Sequence, residues 1–238
     1  MLLVCVALCA MLSVTNAQTV FFGYSERKVP VYSVATSEKK VALTFDAAWG
    51  ADKTSKIIEI LKKNEVGGTF FLVGFWSEKY QDKIKEIDGA GLDIGTHSNT
   101  HPKMSTLSPA SQESELMVSS KLITNITGKP VRFFRPPYGD YNDQLLMTAE
   151  KLNLQTIQWD VDSLDWKGLT AEQILTRVKS GVKNGSIILF HNNSDHILEA
   201  LPLVIEFLKS QGYSMVNLSG LVYENNYTID NNGVQKRV

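Results

Sequence analysis

The sequence predicts an α/β protein that folds as a distorted (β/α)7-type barrel. Strand-like apolar runs and helix-like segments alternate about seven times over roughly 180 residues, a pattern typical of a parallel sheet covered by helices. Polar residues suited to chemistry follow several different strands, and in a β/α barrel those strand ends surround one mouth. An open doubly wound sheet also fits the alternation but brings fewer strand ends together. We therefore favour the barrel.

The chain divides into a lead-in, one large domain and a tail. Residues 18–38 show no strong periodicity and are expected to form a lead-in segment with a short hairpin around residues 29–32. The domain is expected over residues 39–223, and the polar residues 224–238 are expected to form a loose tail.

Strands are predicted where short apolar runs occur, at 41–45, 68–73, 92–96, 131–134, 155–161, 187–190 and 213–218. Helices are predicted between them from apolar residues at helical spacing, at 53–64, 78–90, 108–127, 143–152, 170–182 and 197–211. The pair Ser108-Pro109 is typical of a helix start, because serine caps free amide groups and proline suits the first helical position.

The composition is that of an ordinary globular chain. Its 238 residues are 43% hydrophobic and 21% charged, enough for one domain with a substantial core. The 24 Lys and Arg residues nearly balance the 25 Asp and Glu residues. A net charge near zero gives no support for nucleic acid or an anionic surface as the main partner.

Residues 1–17 differ from the rest of the chain, since they are almost wholly apolar and end in a small-x-small pattern. We expect a secretory signal peptide, or a short N-terminal anchor that would be the only link to a membrane. A buried strand or helix of the domain is the alternative. Both cysteines, Cys5 and Cys9, lie here, so the mature chain is expected to have no disulfide and no Cys-ligated metal. The protein is expected to be secreted or at the outer face of the membrane or cell wall.

Residues 97–101 contain two of the four histidines, His97 and His101, directly after the strand predicted at 92–96. If this stretch makes one helical turn, positions i and i+4 share a face and both imidazoles point at one spot, which suits zinc. A polar loop whose histidines merely fall near each other explains the spacing equally well. The other strand ends decide between these alternatives.

Four further side chains at strand ends suit proton transfer and its control: Asp46, Arg135, Asp165 and His191. Taken alone, each has an ordinary explanation, such as a turn-forming carboxylate or a solvated loop arginine. Trp159 and Trp166 lie beside aspartates at strand ends, which suits a sugar-stacking rim better than the core.

Five short motifs occur in one order, each at a predicted strand end. They are Thr44-Phe45-Asp46, His97-Ser98-Asn99-Thr100-His101, Arg135-Pro136-Pro137-Tyr138-Gly139, Asp162-Ser163-Leu164-Asp165-Trp166 and Leu189-Phe190-His191-Asn192. Through these motifs the chain resembles the polysaccharide deacetylases, the NodB-homology or carbohydrate esterase family 4 enzymes, from about residue 41 to 222. The amino-acid sequences around the first and fourth motifs look most like those of the sporulation-associated, PdaB-like branch of this family.

The resemblance implies a divalent metal, usually zinc, that binds a water and the acetamide oxygen of an N-acetylated sugar, with His97 and His101 as ligands. It implies Asp46 as the general base and His191 as the general acid. Arg135 would hold Asp46, and Asp165 would hold His191. Amide hydrolysis needs an activated water, stabilised charge on oxygen and a proton for nitrogen, and these groups suit those needs.

The resemblance also implies substrate-binding roles for Tyr138, Trp166 and Pro136. Tyr138 and Trp166 would shape the acetate pocket, with the backbone N–H of Tyr138 aimed at the oxyanion.

The first motif departs from the family pattern. The family reads Thr-Phe-Asp-Asp-Gly, in which the second Asp is a metal ligand, but Ala47 occupies that position here. Two histidines remain where a catalytic zinc site usually has three protein ligands. Three explanations stay open: Asp52 replaces the missing carboxylate, a water or an acetate fills its place, or the metal is not bound tightly and the protein is weakly active or inactive.

The sequence therefore predicts a secreted, metal-dependent hydrolase that removes N-acetyl groups from amino sugars of peptidoglycan, including that of the spore wall. Two alternatives stay open. The chain is a degenerate, weakly active or inactive relative that binds glycan strands, as Ala47 suggests, or it is a chitin or chitooligosaccharide deacetylase. Retention of the acid, the base and their two partners counts against a pure binding role.

Overall fold

The computed structural model describes residues 27–238. The signal peptide or anchor predicted at 1–17 lies outside the described residues, as do residues 18–26 of the lead-in. Within residues 27–238, none of the helices is both long and apolar enough to cross a membrane.

Strands and helices alternate along the described chain. The strands are β1 (Ser33–Val34), β2 (Lys40–Ala47), β3 (Thr69–Leu72), β4 (Asp93–Thr96), β5 (Phe133–Phe134), β6 (Gln155–Thr156), β7 (Val161–Asp162), β8 (Ile187–His191), β9 (Ser214–Val216), β10 (Tyr227–Ile229) and β11 (Val234–Arg237). The α-helices are α1 (Thr54–Lys63), α2 (Gly74–Lys79), α3 (Gln81–Gly89), α4 (Pro109–Thr127), α5 (Asp143–Lys151), α6 (Ala171–Gly181) and α7 (Ile197–Ser210).

The main sheet is parallel and curls on itself. Its strands follow the order β6-β5-β4-β3-β2-β8-β7, with β9 also paired to β2. The two outermost strands, β6 and β7, are separated in the chain only by residues 157–160. Five residue steps span at most about 18 Å, so the two edges of the sheet must approach each other. The predicted distorted barrel is confirmed.

The sheet is buried on both faces, as expected for parallel strands that are covered by helices. On the helix side, the ring of Phe45 stacks on Phe70 and Phe190 with centroids 4.9 and 5.7 Å apart. This stack joins β2, β3 and β8. A second apolar cluster fills the barrel interior and includes Phe71 and Ile187.

Most predicted elements are present, and their ends follow local chemistry. The Ser108 side chain accepts a hydrogen bond from the Ser111 amide at the start of α4, as the serine–proline pair predicts. The helix predicted at 78–90 is instead two helices, α2 and α3, with a break at Tyr80. The single strand predicted at 155–161 is split into β6 and β7, because its middle crosses the gap between the sheet edges.

The ends of the domain differ from prediction. The tail from residue 224, predicted to be loose, contains the antiparallel pair β10–β11, and β11 pairs with β1. An Asn-Gly turn reverses the chain, with Gly233 at φ +76° and Asp230 accepting hydrogen bonds within the turn. The hairpin predicted around residues 29–32 is absent from the described lead-in. Val31 instead bridges to Ile157 and covers the free edge beside β6.

Candidate active site

The strand registers bring the predicted site residues to one end of the barrel. Asp46 and His191 are directly opposite each other on the neighbouring strands β2 and β8. His97 follows β4 and Arg135 follows β5, and their backbone amides continue the ladder to Leu72 and Thr96. A cavity of about 680 Å³ opens there, lined by Asp46, His97, His101, Asp165 and His191 among others.

Asp46 and Arg135 form a buried ion pair. Arg135 Nη1 donates to Asp46 Oδ1 at 2.8 Å, and Nη2 donates to the carbonyl of Gln158 at 3.0 Å. The guanidinium also lies 4.2 Å from the ring centre of Phe71. Burial favours the neutral carboxyl, but the positive charge of Arg135 and its hydrogen bond outweigh burial and keep the pKa of Asp46 below its usual value. Asp46 is therefore ionised, with Oδ1 engaged and Oδ2 directed toward the cavity.

His97 has one nitrogen committed to the backbone. Its Nδ1 lies 2.7 Å from the carbonyl oxygen of Arg135, and because a carbonyl only accepts, Nδ1 must carry the proton. Its Nε2 lies 3.5 Å from Asp46 Oδ2. Burial lowers the pKa of His97 despite that carboxylate, so the ring is neutral with a free lone pair on Nε2.

His101 lies against His97, with ring centroids 5.0 Å apart in an edge-to-face arrangement. The rings of Trp49 and Tyr138 pack on it at 4.9 and 4.7 Å. Burial lowers the pKa of His101 to about 4, and its Nδ1 is buried without a partner in the described structure. The two imidazoles thus meet as predicted, but residues 97–101 are not a helical turn, because Ser98 and His101 both have positive φ.

The loop that carries these histidines is fixed from two sides by residues that sequence reasoning missed. On one side, the Glu115 carboxylate of α4 accepts hydrogen bonds from the amides of Asn99 and Thr100 at 2.8 Å each. On the other side, the Gly74 amide donates to the Ser98 carbonyl at 2.9 Å. A Cβ on Gly74 would lie 2.0 Å from Asn99 Oδ1, so the close approach requires glycine.

His191 is held by Asp165 through two hydrogen bonds. The ring Nδ1 lies 2.8 Å from Asp165 Oδ1, and the backbone amide of His191 donates to Oδ2 at 2.8 Å. Asp165 is 1% exposed, and its carbonyl accepts a hydrogen bond from the Ser194 hydroxyl. Burial acts to lower the pKa of His191, but the hydrogen bond and charge of Asp165 outweigh it and raise that pKa. With Nδ1 committed to Asp165, Nε2 is the nitrogen available to a substrate.

Two of the three predicted substrate-binding residues line the cavity. Tyr138 and Trp166 are 64% and 59% exposed at its rim, and Trp159 also contributes to the wall. Pro136 is not among the residues that line the cavity, and its role in substrate binding stays a prediction. It is buried beneath the turn, where its carbonyl accepts a hydrogen bond from the Gly139 amide and fixes the position of Tyr138.

The described residues do not complete a three-ligand zinc site. His97 and His101 offer two imidazoles, but no group of three or more His, Cys, Asp or Glu side chains within residues 27–238 is arranged to hold a metal. Asp52 is exposed and does not line the cavity. Ala47 is fully buried in the core, whereas Ala48 lines the cavity and, two residues after Asp46, lies on the same side of the chain.

Comparison with known proteins identifies several relatives. The family model described as polysaccharide deacetylase matches residues 33–157. A peptidoglycan-N-acetylglucosamine deacetylase of Bacillus cereus is 32% identical over 84% of this chain and 74% of its own length. The peptidoglycan-N-acetylmuramic acid deacetylase PdaA of Bacillus subtilis is 33% identical over 79% of this chain and 73% of its own length. The predicted class, a hydrolase that removes N-acetyl groups, agrees with the deacetylase names of these two relatives.

A solved structure of a carbohydrate esterase family 4 pseudoenzyme from Bacillus anthracis is also similar. Its TM-score is 0.80 at 36% identity, covering 88% of this chain and 70% of that one. A mutant of a family 4 pseudoenzyme that is described as having restored activity has a TM-score of 0.79 at 38% identity, covering 88% of this chain and 73% of that one. The chain is thus similar both to named deacetylases and to a pseudoenzyme.

Proposed function

Because the chain belongs to the polysaccharide deacetylase family, we propose that it is a hydrolase that removes N-acetyl groups from amino sugars of peptidoglycan. The observation that carries this proposal is the pair of oriented groups across the cavity. Asp46 is ionised and fixed by buried Arg135, and His191 is fixed by buried Asp165. A carboxylate and an imidazole on neighbouring strands suit proton removal from water and proton delivery to a leaving nitrogen.

The roles follow from the free atoms of each pair. Asp46 Oδ2 accepts a proton from a water, whose oxygen forms a bond to the acetamide carbon. The carbon–nitrogen bond then breaks, and the sugar nitrogen takes a proton from His191 Nε2. The immediate products are acetic acid and a free amino sugar. Asp46 then releases its proton to solvent and His191 takes one up from solvent, so that the net reaction consumes one water. Arg135 and Asp165 orient the two reacting side chains and act only through them.

Acetate release from purified peptidoglycan and from N-acetylglucosamine oligomers tests this proposal. We expect release by the parent chain and a loss of at least a hundredfold in Asp46→Asn and in His191→Ala. Asp88→Asn, which changes a partly exposed carboxylate paired with Lys129 away from the cavity, is the matched control and should keep full activity. Equal rates in all four proteins would remove both residues from the mechanism. Comparing peptidoglycan with chitooligosaccharides also separates the cell-wall substrate from the chitin alternative.

The second candidate is a glycan-binding protein without hydrolytic activity. It is favoured by the alanines that follow Asp46, by the incomplete set of metal ligands and by the similarity to a pseudoenzyme. Its signature is binding of N-acetylglucosamine oligomers with no acetate release at any metal concentration. That combination would replace the hydrolase proposal.

We propose in addition that zinc binds weakly to His97 and His101. Two neutral imidazoles lie side by side, which supports binding, and no carboxylate serves as a third ligand among the described residues, which supports weak binding. Calorimetric titration with zinc is expected to show weak binding that disappears in His97→Ala and His101→Ala. Ala48→Asp should tighten binding, because position 48 lines the cavity, while Ala47→Asp should mainly destabilise the core. No zinc binding at millimolar metal would overturn this proposal.

We propose that the chain acts outside the cell, on the wall that contains this glycan, including the spore wall. The apolar segment 1–17 supports this location. Expression of the full chain followed by cell fractionation tests it, with recovery in the medium or wall fraction as the expected result. Recovery only in the cytosol would contradict it.

A further inference from the structure

The exposed aromatic side chains of the described structure gather at one place. Within residues 27–238, the exposed Trp, Tyr and Phe residues are Trp49, Phe75, Tyr138 and Trp166. Three of these line the cavity, and Phe75 adjoins it through contact with Trp49. Tyr138 and Trp166 belong to the motifs of the predicted site. Trp49 and Phe75 have no assigned role there.

Trp49 and Phe75 form a continuous apolar surface that leads away from the reacting centre. The Trp49 ring packs against His101 with ring centroids 4.9 Å apart. The centroid of the Phe75 ring lies 6.4 Å from that of Trp49, and the two ring planes form an angle of 47°. Trp49 is 56% exposed and Phe75 is 39% exposed. We call this pair the outer platform. Its inner end is at the histidine pair and its outer end is at the start of α2.

The outer platform is held on rigid backbone. Phe75 donates its amide to the Asn99 carbonyl at 3.2 Å, beside the hydrogen bond from Gly74 to Ser98. Trp49 is followed by Gly50, whose carbonyl accepts hydrogen bonds from Trp76 and Asn192. Two exposed aromatic rings on fixed backbone offer a stacking surface at low cost in conformational entropy.

The charges around the cavity limit what can stack there. None of the described lining residues is Lys or Arg, whereas Asp46, Asp162 and Asp195 are among them. The lining therefore offers a ligand carboxylate no Lys or Arg as an ion-pair partner. A neutral amino sugar needs no such partner, and its apolar C–H face complements an aromatic ring.

We propose that Trp49 and Phe75 are the binding site for a second, neutral sugar ring of the glycan strand, next to the ring whose acetamide lies between Asp46 and His191. The identity of the first ring rests on the proposed function. The second ring makes the preferred ligand an oligosaccharide and not a single sugar, and it makes Trp49 and Phe75 determinants of chain-length preference.

Calorimetry with N-acetylglucosamine and its dimer, trimer and tetramer tests this inference, using the full chain carrying Asp46→Asn so that ligand is not consumed. Affinity should rise with chain length in that protein. Phe75→Ala and Trp49→Ala should each weaken trimer binding by about three- to tenfold, the range for one aromatic contact. Phe75→Ala should leave monomer affinity unchanged, and Phe75→Trp should restore trimer affinity.

Met117→Ala is the matched control, because Met117 is exposed on α4 and does not line this cavity. Its trimer affinity should equal that of the parent, and thermal unfolding should confirm that all variants fold. No binding by the parent, no gain with chain length, or equal trimer affinity in Phe75→Ala would each overturn the inference. Length-dependent binding without acetate release would support the outer platform and reject the hydrolase proposal. Acetate release by the parent chain, together with an unchanged trimer affinity in Phe75→Ala, would support the hydrolase proposal and reject the outer platform.

Discussion

At the scale of single residues, the site depends on two charges that are almost fully withdrawn from solvent. Arg135 is fully buried, and Asp46 is 6% exposed. Each ion is stable in the core only because the other is present, since an unpaired buried charge loses its hydration without compensation. The same pair that orients the candidate base is therefore also a requirement of folding.

Arg135→Met should lower the free energy of unfolding by about 3–5 kcal/mol, because it leaves Asp46 buried and unpaired. The matched control is Arg132→Met, three residues earlier, whose guanidinium pairs with Glu224 at 44% exposure. That change should cost no more than about 1 kcal/mol, because solvent screens an exposed pair. Urea denaturation at neutral pH measures both. Similar losses in the two variants would contradict the buried pair.

Asp165→Asn should lower the pKa of His191. The folded-state pKa is raised by Asp165, so the stabilisation from this pair is fully present below the pKa of an unfolded histidine, about 6.5, and is lost as pH rises through the folded-state value. Removing the carboxylate charge should move the imidazole titration, followed by NMR, to lower pH. The alkaline limb of acetate release should move in the same direction, because the acid role needs protonated His191.

Asp195→Asn is the control for this shift, because Asp195 lines the same cavity but its side chain is 83% exposed and makes no hydrogen bond to His191. Screening by solvent should leave the titration of His191 nearly unchanged. Equal shifts in both variants would show that general charge, and not the hydrogen-bonded pair, sets this pKa.

At the scale of elements, the histidine loop is positioned by helices on both sides. Helix α2 contributes two backbone amides, and α4 contributes Glu115, whose Oε1 also accepts the Thr100 hydroxyl at 2.7 Å. A positive φ is energetically costly for any residue other than glycine. Ser98 and His101 both have positive φ, so their backbone conformation needs this support from the two helices.

Glu115→Ala should loosen the loop without unfolding the domain. Hydrogen bonds to a charged acceptor contribute about 1.5–3 kcal/mol, so amide exchange at Asn99 and Thr100 should accelerate about tenfold or more. Glu113→Ala, on the same helix, removes only a surface ion pair with Lys151 and should leave both amides protected. Hydrogen exchange followed by NMR decides this, and unchanged exchange in Glu115→Ala would refute the positioning role.

The elements that were predicted well are those with their own local pattern. Apolar runs located β2, β3, β4 and β8, and the Ser108 cap located α4. The failures have a common cause, because they depend on distant partners. The split between β6 and β7 follows from curling of the sheet, and the break between α2 and α3 has no Pro or Gly in the sequence at Tyr80 to signal it. The role of Glu115 was invisible because its partners lie 15 and 16 residues away.

At the scale of the whole molecule, the two ends of the described chain close the barrel together. Val31 covers the sheet edge beside β6, β1 pairs with β11, and the Gly233 carbonyl accepts the Tyr32 amide at 2.8 Å. Gln235 on β11 is fully buried and exchanges hydrogen bonds with the Tyr223 backbone. The prediction of a loose tail is wrong because the polar residues of the tail form hydrogen bonds with the lead-in and with the end of the domain. The Asn-Gly pair was the available sequence signal.

A comparison of two glycines tests whether the tail is docked on the lead-in. Gly233 and Gly128 both have positive φ, at +76° and +71°, so an alanine at either site costs about 1 kcal/mol or more in backbone strain. Only at Gly233 does the new Cβ also collide with a neighbour, the Tyr32 ring at 2.2 Å, whereas Gly128 faces open space. Gly233→Ala should therefore lower the urea midpoint distinctly more than Gly128→Ala. Equal midpoints would mean that the tail yields freely, and that β10 and β11 add little to the stability of the barrel.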